Sequence, residues 1–229
     1  MSQEITTATR DLVFVDTETT GLDPYEHELI EVAAVRMTFN LQTEVGRVER
    51  KCRMMRPEKA SAEALKVNKY SAEEWADADP QRIALIELAA LLADGEPILV
   101  AHNMPFDWGF LSYAYHVEKL ALPNVRNKVC TMSIAFPLVL KGHVPKVRLE
   151  TLCDLYGISN DGSHRAMTDV IRCARVYAKL CALPEPKFGA KREVIPEPAA
   201  EPRQTYAQVA DAAVTAKIEA KEDPATWDL

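Results

Sequence analysis

The chain has 229 residues and a formal net charge of −7 at pH 7. This acidic balance argues against a protein that coats nucleic acid without specificity, because such proteins carry a basic excess. The length predicts one domain of roughly 180 residues followed by a tail.

Neither membrane insertion nor secretion is indicated by the sequence. The first ten residues have no apolar core after a basic start, and no run approaches the ~20 apolar residues of a membrane span. The cysteines are widely spread without a CxxC pair, which is typical of reduced thiols in a core. They are Cys52, Cys130, Cys153, Cys173 and Cys181. We therefore expect a cytoplasmic protein with no membrane contact.

The first informative stretch, residues 12–23, reads LVFVDTETTGLD. Its apolar start predicts a short buried strand over residues 12–15, and Asp16 and Glu18 follow on one face of the extended chain. Thr17 faces the other way. Two buried neighbouring carboxylates repel each other unless a cation lies between them, and Mg²⁺ or Mn²⁺ suits such hard oxygen ligands. By itself the motif is equally compatible with an ordinary exit from a strand into a turn.

Two further strands are predicted after the turn. Residues 29–38 (LIEVAAVRMT) favour a strand antiparallel to the first, and residues 47–57 (RVERKCRMMRP) favour a third, which makes a meander. Basic residues crowd the third strand: Arg47, Arg50, Lys51, Arg53, Arg56 and Lys59. They could meet phosphates, but an edge strand protected by its charge is the favoured interpretation.

The middle of the chain alternates helix and strand signals. Residues 61–75 predict a short helix, a turn and a second helical start. Asp79 and Pro80 supply a cap and a first-turn proline for a helix over residues 82–93. The apolar run 97–101 then predicts a buried strand.

That strand delivers the phrase AHNMPFDWGF. Asn103 can cap a helix with Pro105 in its first turn, so Asp107 lies about one turn in, where the helix dipole favours negative charge. Taken alone, Asp107 is an ordinary first-turn acid.

The remaining elements are short. Residues 128–131 predict a strand, followed by a helical stretch that is broken at Pro137. An amphipathic helix, RLETLCDLY, stops at Gly157. The polar stretch after it ends in His164, and the next helix carries Asp169 beside its buried stripe. An acid at the border of a packed face needs a partner or a metal.

From Pro184 the composition changes, since the last 46 residues contain six of the fourteen prolines. Residues 184–229 are predicted to form a flexible tail. Within it, residues 203–221 have the pattern of a short amphipathic helix that could bind a protein partner.

Together, the phrases VDTETTGLD, HNMPFDWGFL and HRAMTDV resemble the three motifs of the DEDD exonuclease superfamily, in its histidine-containing branch. The likeness extends over about residues 10–182, and similar-looking relatives include the DnaQ-like epsilon proofreading subunit of bacterial DNA polymerase III. It implies an α/β, ribonuclease-H-like exonuclease fold, with a mixed central sheet flanked by helices, in a domain over residues 1–183.

The resemblance also implies a mechanism. Asp16, Glu18, Asp107 and Asp169 would hold two Mg²⁺ or Mn²⁺ ions about 4 Å apart, so that one activates water and the other stabilises the departing 3′ oxygen. His164 would take the proton from the attacking water, a role suited to the ordinary pKa of histidine.

Substrate contacts follow from the same resemblance. The backbone near Thr17 and Thr19 would meet the terminal 3′ hydroxyl, Leu22 would wedge against the last base, and Phe106 would stack in the same pocket. Asn103 joins this substrate-binding set. Relatives often read V-H-G-I where this chain reads VNKY, which puts the sugar and base contacts at Asn68 and Tyr70 in doubt.

The sequence thus predicts a metal-dependent 3′–5′ exonuclease on single-stranded or frayed DNA that releases nucleoside 5′-monophosphates, in proofreading or repair. One alternative is the same chemistry on RNA ends, because both substrates offer the same phosphates. Another is a catalytically idle module that docks partners. Loss of a metal ligand would mark such a module, and none of the motif acids is lost. The protein partner that the tail could bind is a polymerase or another protein, and the alternative is a tail without a partner.

Overall fold

A computed structural model describes residues 10–189 of the chain. It contains five strands, β1 to β5 in chain order: Leu12–Thr19, Leu29–Met37, Glu44–Lys51, Ile98–Ala101 and Lys128–Cys130. These strands form one sheet in the order β3-β2-β1-β4-β5. The first three pair antiparallel as a meander, whereas β4 and β5 run parallel to β1. The predicted mixed sheet is confirmed.

Strand β1 is longer than the apolar run 12–15 predicted. It continues to Thr19 because β2 pairs with it throughout, with Asp16 opposite Ala33 and Glu18 opposite Glu31. The two acids therefore lie within a central strand and not in the turn after it. Their positions are fixed by backbone hydrogen bonds on the β2 side.

Six helices, α1 to α6, complete the described part of the fold: Ala62–Val67, Gln81–Leu92, Met104–Val117, Thr131–Leu140, Leu149–Tyr156 and Ala166–Leu180. A single 3₁₀ turn, Pro57–Lys59, precedes α1. Helices α2 and α3 pack on the sheet face that carries Val13 and Val15. Helix α6 packs on the opposite face, against Leu12 and Phe14. The predicted flanking helices are confirmed.

Alternation along β1 directs its side chains to these two layers. The even-numbered apolar residues face α6, so Asp16 and Glu18, with the same parity, face the α6 side as well. Thr17 shares the parity of Val13 and Val15, on the α3 side. The acids and the threonine thus leave the strand on opposite faces, as predicted.

Two proline predictions were wrong. Helix α4 continues through Pro137 to Leu140. Pro137 and Ser133, whose carbonyl loses its helical donor, are both exposed, so water can satisfy that carbonyl. In α2, Pro80 occupies the N-cap position without a side-chain cap, and Asp79 bridges to Cys52 instead.

The basic residues of the third strand are largely neutralised. Strand β3 lies at one edge of the sheet. Arg47 lies 2.6 Å from Glu44, and Arg50 lies 2.7 Å from Glu87. Lys51, Arg56 and Lys59 have acidic partners too. The interpretation as a charged edge strand is therefore confirmed.

All five cysteines are free thiols. Cys52, Cys153 and Cys173 are buried and Cys130 is half-buried, but Cys181 at the end of α6 is exposed, so the prediction of a core position was wrong there. No helix within residues 10–189 combines the length and apolar character needed to cross a membrane.

Residues on both sides of the predicted boundary between the domain and the tail lie against the core. Leu183 and Phe188 pack on the core cluster under α6. The Lys187 N–H donates to the Leu41 carbonyl at 2.9 Å, and Glu185 pairs with Arg175 at 3.0 Å. The predicted partner-binding helix over residues 203–221 lies outside the described residues.

Candidate active site

Three carboxylates meet between β1 and α6. One oxygen each from Asp16, Glu18 and Asp169 lies within 4.8 Å of the other two. Glu18 and Asp169 are each 8% exposed. Spacing of i and i+2 on a strand puts the first two acids side by side, and the first turn of α6 brings the third across from them. Such a group of hard oxygen ligands fits a divalent cation.

Asp107 lies beside this cluster and is only 2% exposed. The hydroxyl of Thr17 donates a hydrogen bond to its Oδ1 at 2.9 Å. The negative charge of Asp107 is also the strongest of the neighbouring charges that raise the pKa of Asp16. Asp107 therefore lies near the other three motif acids, and the Thr17 hydroxyl helps to hold it there.

Burial dominates the electrostatics of these acids. It raises the pKa of Glu18 to about 8, with Asp169 and Glu31 adding repulsion. Burial also raises the pKa of Asp107 to about 7, against the lowering effect of the Thr17 hydrogen bond. The pKa of Asp16 is raised well above its usual range, first by burial and then by the neighbouring acids. A site that costs this much to ionise without a cation is suited to binding one.

His164 sits at the rim, in the loop before α6. Its backbone N–H donates to Asp169 Oδ2 at 3.0 Å, and its φ of 63° is left-handed. The imidazole is 40% exposed, with Nε2 3.8 Å from Glu150 Oε1. The residue is thus anchored by its backbone to a candidate metal ligand, while its side chain faces α5.

A cleft of about 440 Å³ opens beside Glu18. This volume falls in the range of small-molecule sites, roughly 300–1,000 Å³. Of the predicted substrate-binding set, Thr17, Thr19, Leu22 and Phe106 line it. Leu22 is 83% exposed on the rim. An exposed leucine and a half-buried aromatic ring beside the acids can contact any of the bases.

Asn103 begins α3 as the sequence predicted, but without a side-chain cap. It occupies the N-cap position of α3 in a left-handed conformation with φ 68°, and its side chain makes no capping hydrogen bond. It is exposed and does not line the cleft. Asn68, which breaks the V-H-G-I pattern, is buried in the cleft wall and donates to the Thr19 carbonyl at 2.8 Å. Tyr70 instead packs on Trp75.

Sequence reasoning missed the charged residues that surround the acids. Glu31 is 2% exposed, and burial raises its pKa. Arg165 lies 3.5 Å from Glu31 and 2.6 Å from Glu74, with its guanidinium 5.2 Å from the Trp75 ring. Arg172, buried on α6, contacts Asp169. For Glu31, the signal available in the sequence was a charged residue inside the apolar run LIEVAAV.

Comparison with known families gives one match that spans most of the chain. The family described as exonuclease (RNase_T) matches residues 13–177. Among curated proteins, the DNA polymerase III subunit epsilon of Rickettsia typhi is 29% identical over 173 residues, which cover 73% of this chain and 72% of that protein.

Solved structures share the fold. Escherichia coli exonuclease I in complex with a dT13 oligonucleotide superposes with a TM-score of 0.65 at 16% identity, over 76% of this chain and 41% of that one. The zinc-bound form of the E. coli enzyme with single-stranded DNA gives 0.62 at 17% identity, over 76% of this chain and 39% of that one. This chain therefore spans less than half the length of those structures.

Proposed function

The chain belongs to the RNase_T exonuclease family and is a 3′–5′ exonuclease, and on this premise we propose that it removes nucleoside 5′-monophosphates from single-stranded or frayed DNA. The observation that carries the proposal is the carboxylate cluster of Asp16, Glu18 and Asp169, together with the cleft of about 440 Å³ that Glu18 lines. Hydrolysis at a chain end needs both parts, since the cluster supplies the chemistry and the cleft holds the terminal nucleotide.

Divalent metal ions fit this site. Three oxygen ligands lie within 4.8 Å of one another, and burial raises the pKa values of Asp16 and Glu18, so a bound cation would offset the cost of ionising them. Asp16, Glu18, Asp107 and Asp169 would hold two ions, for which we propose Mg²⁺ or Mn²⁺ because all the donors are carboxylates. When bound, such ions activate water and offset the charge that develops on the phosphate.

The protein's own groups complete the reaction. His164 is the general base that accepts the proton of the attacking water. Its backbone anchor on Asp169 keeps it next to the acids, and its exposed imidazole can rotate from Glu150 toward the substrate. Four acids in place and a family of active nucleases argue against the alternative of an idle docking module.

Leu22 and Phe106 supply the contacts to the terminal base. Both lie at the cleft beside the metal-binding strand, and apolar contact with a base tolerates any sequence. The Thr19 hydroxyl is already committed to the Gly21 carbonyl at 2.6 Å. The Thr17 hydroxyl is committed to Asp107. Because both hydroxyl hydrogens are already donated, these threonines would contact the 3′ hydroxyl through the backbone or as acceptors through their hydroxyl oxygens.

Digestion of matched DNA and RNA oligomers of one sequence, with 5′ labels and Mg²⁺ or Mn²⁺, tests the substrate. We expect mononucleotide release from the DNA 3′ end to be at least tenfold faster than from RNA. Faster digestion of RNA would make the enzyme an exoribonuclease. Efficient cleavage of single-stranded circles would contradict an exonuclease altogether.

The partner proposal rests on relatives named as subunits of DNA polymerase III. We propose that the tail beyond Gly189 tethers the nuclease domain to a polymerase, which raises the local concentration of the two activities. A gel-filtration comparison of the full chain and residues 1–189 with a purified bacterial replicative polymerase tests this. Equal binding by both proteins would remove the tail from the proposal.

A further inference from the structure

One buried guanidinium links the catalytic acids to the loop that carries His164. Arg172 follows Asp169 by three residues on α6, and its side chain is only 3% exposed. Its Nη1 lies 2.5 Å from Asp169 Oδ1, and its Nη2 donates to Asn160 Oδ1. A buried charge of this kind persists only where its partners are well placed.

The partner on the other side of the guanidinium belongs to the loop between α5 and α6. Asn160 donates to Asp154 Oδ1 at 2.6 Å and to the Glu150 carbonyl at 3.3 Å, so it fastens the loop to α5. Four residues later the same loop presents His164. Asn160 therefore lies between Arg172 and the helix that the imidazole faces.

Asp169 contacts both Arg172 and the loop that carries His164. Its Oδ1 contacts Arg172, and its Oδ2 accepts the backbone N–H of His164 at 3.0 Å. Both oxygens are thus oriented by the protein, one from its own helix and one from the loop. Partners behind a ligand fix its orientation and tune its affinity for a metal.

We propose that Arg172 is a positioning residue that sets the Asp169 carboxylate for metal binding and, through Asn160, holds the His164 loop against α5. The inference rests on the proposed metal-dependent function and adds a residue to it. It separates two effects: the contact with Asp169 governs metal affinity, whereas the contact with Asn160 governs the placement of His164.

Arg172→Met keeps the volume of the side chain and removes its charge and donors. We expect the affinity for Mn²⁺, measured by calorimetry without substrate, to fall about 10- to 100-fold. Arg172→Lys keeps the charge and should recover part of that affinity while losing the two-sided contact, because one ammonium cannot reproduce the planar fork. Asn160→Ala should leave Mn²⁺ affinity within about twofold and lower kcat with little change in KM, because it frees the loop and not the carboxylate.

Arg36→Met is the matched control. Arg36 is also mostly buried and ion-paired, 2.9 Å from Asp11, but at the opposite end of β2 from Glu31. It should lower thermal stability and leave Mn²⁺ affinity and kcat unchanged.

A folded Arg172→Lys with wild-type Mn²⁺ affinity and kcat would overturn the proposal. So would an Arg172→Met whose only defect is the loss of stability that Arg36→Met also shows. Wild-type protein that binds Mn²⁺ but digests no DNA would contradict the proposed function and leave this inference standing.

Discussion

Glu18 on β1 lies directly opposite Glu31 on β2, and both side chains are buried. Like charges in this position destabilise a sheet. Arg165 lies 3.5 Å from Glu31, but no cationic side chain among the described residues forms an ion pair with Glu18. The sheet therefore carries a charge conflict beside the candidate metal site, which bound protons or a bound cation can relieve.

The first prediction concerns stability against pH in the absence of metal. Burial raises the pKa of Glu18 to about 8, from an ordinary value of about 4.5. The folded state thus holds this proton more tightly than the unfolded state. Its contribution to stability is fully present below about pH 4.5 and is lost as pH rises through 8. We expect the free energy of unfolding in urea, measured in EDTA, to fall between pH 5 and pH 8.

Glu18→Gln isolates the effect, because glutamine is neutral at every pH. The variant should be more stable than the wild type at pH 8 in EDTA, and should gain less from added Mn²⁺. Glu58→Gln, at an exposed position, should follow the wild-type curve. A wild-type protein that becomes more stable from pH 5 to pH 8 in EDTA would show that these carboxylates are not the dominant protonated groups.

Local sequence patterns predicted most of the elements, because apolar runs and helix stops act over a few residues. The end of β1 was missed, since its extension to Thr19 depends on pairing with β2. Pro137 was read as a break because exposure, which makes an interrupted helix tolerable, is a tertiary property.

The site was predicted through its motif acids and His164, whose residue types and order carry the resemblance. The residues that hydrogen-bond to these groups were not predicted. Thr17 and Asp107 are far apart in the chain, and the contact of Arg172 with Asn160 joins a helix to a loop. The N-cap position of Asn103 was predicted, but the absence of its side-chain hydrogen bond was not. A capping residue type predicts the position of a helix start but does not decide whether the backbone adopts a left-handed conformation there.

Thr17→Val should weaken the site without touching a carboxylate. The variant removes the hydroxyl that donates to Asp107 and leaves this buried carboxyl with backbone N–H donors alone. The lost hydrogen bond should cost roughly 1–3 kcal/mol in unfolding free energy. The pKa of Asp107 should rise further, so Mn²⁺ should bind less tightly at pH 7. Calorimetry and urea denaturation measure the two effects. Thr17→Ser keeps the hydroxyl and should remain close to the wild type; equal losses in both variants would assign the effect to packing.

His164→Ala should separate catalysis from metal binding. Loss of a general base lowers the rate by about 10²-fold or more, while the backbone N–H that contacts Asp169 is retained. Mn²⁺ affinity should therefore stay near that of the wild type in calorimetry. His143→Ala, at an exposed position in the loop before α5, should keep full activity. A collapse of Mn²⁺ affinity in His164→Ala would make this residue a ligand.

Two truncations test where the domain ends. Removal of residues 190–229 should leave the unfolding free energy and the nuclease rate unchanged. Truncation after Ala182 also removes Leu183 and Phe188, which are partly buried against the core, together with the ion pair of Glu185. It should lower the unfolding free energy by about 1–3 kcal/mol in total, because each partly buried side chain contributes less than the roughly 1.5–3 kcal/mol of a fully buried one. If both truncations are equally stable, residues 183–189 add nothing to the domain.

The most direct test of the metal-dependent nuclease is single-turnover digestion of a 5′-labelled DNA oligomer by Asp16→Asn, with Asp94→Asn as control. Asp94 is exposed with φ 59°, a conformation that asparagine tolerates. We predict that the wild type and the control release mononucleotides from the 3′ end only when Mg²⁺ or Mn²⁺ is present. Asp16→Asn should be folded and at least about 10³-fold slower, because it loses a charged ligand at the centre of the cluster. Near wild-type digestion by Asp16→Asn, or equal digestion by the wild type in EDTA, would contradict the account.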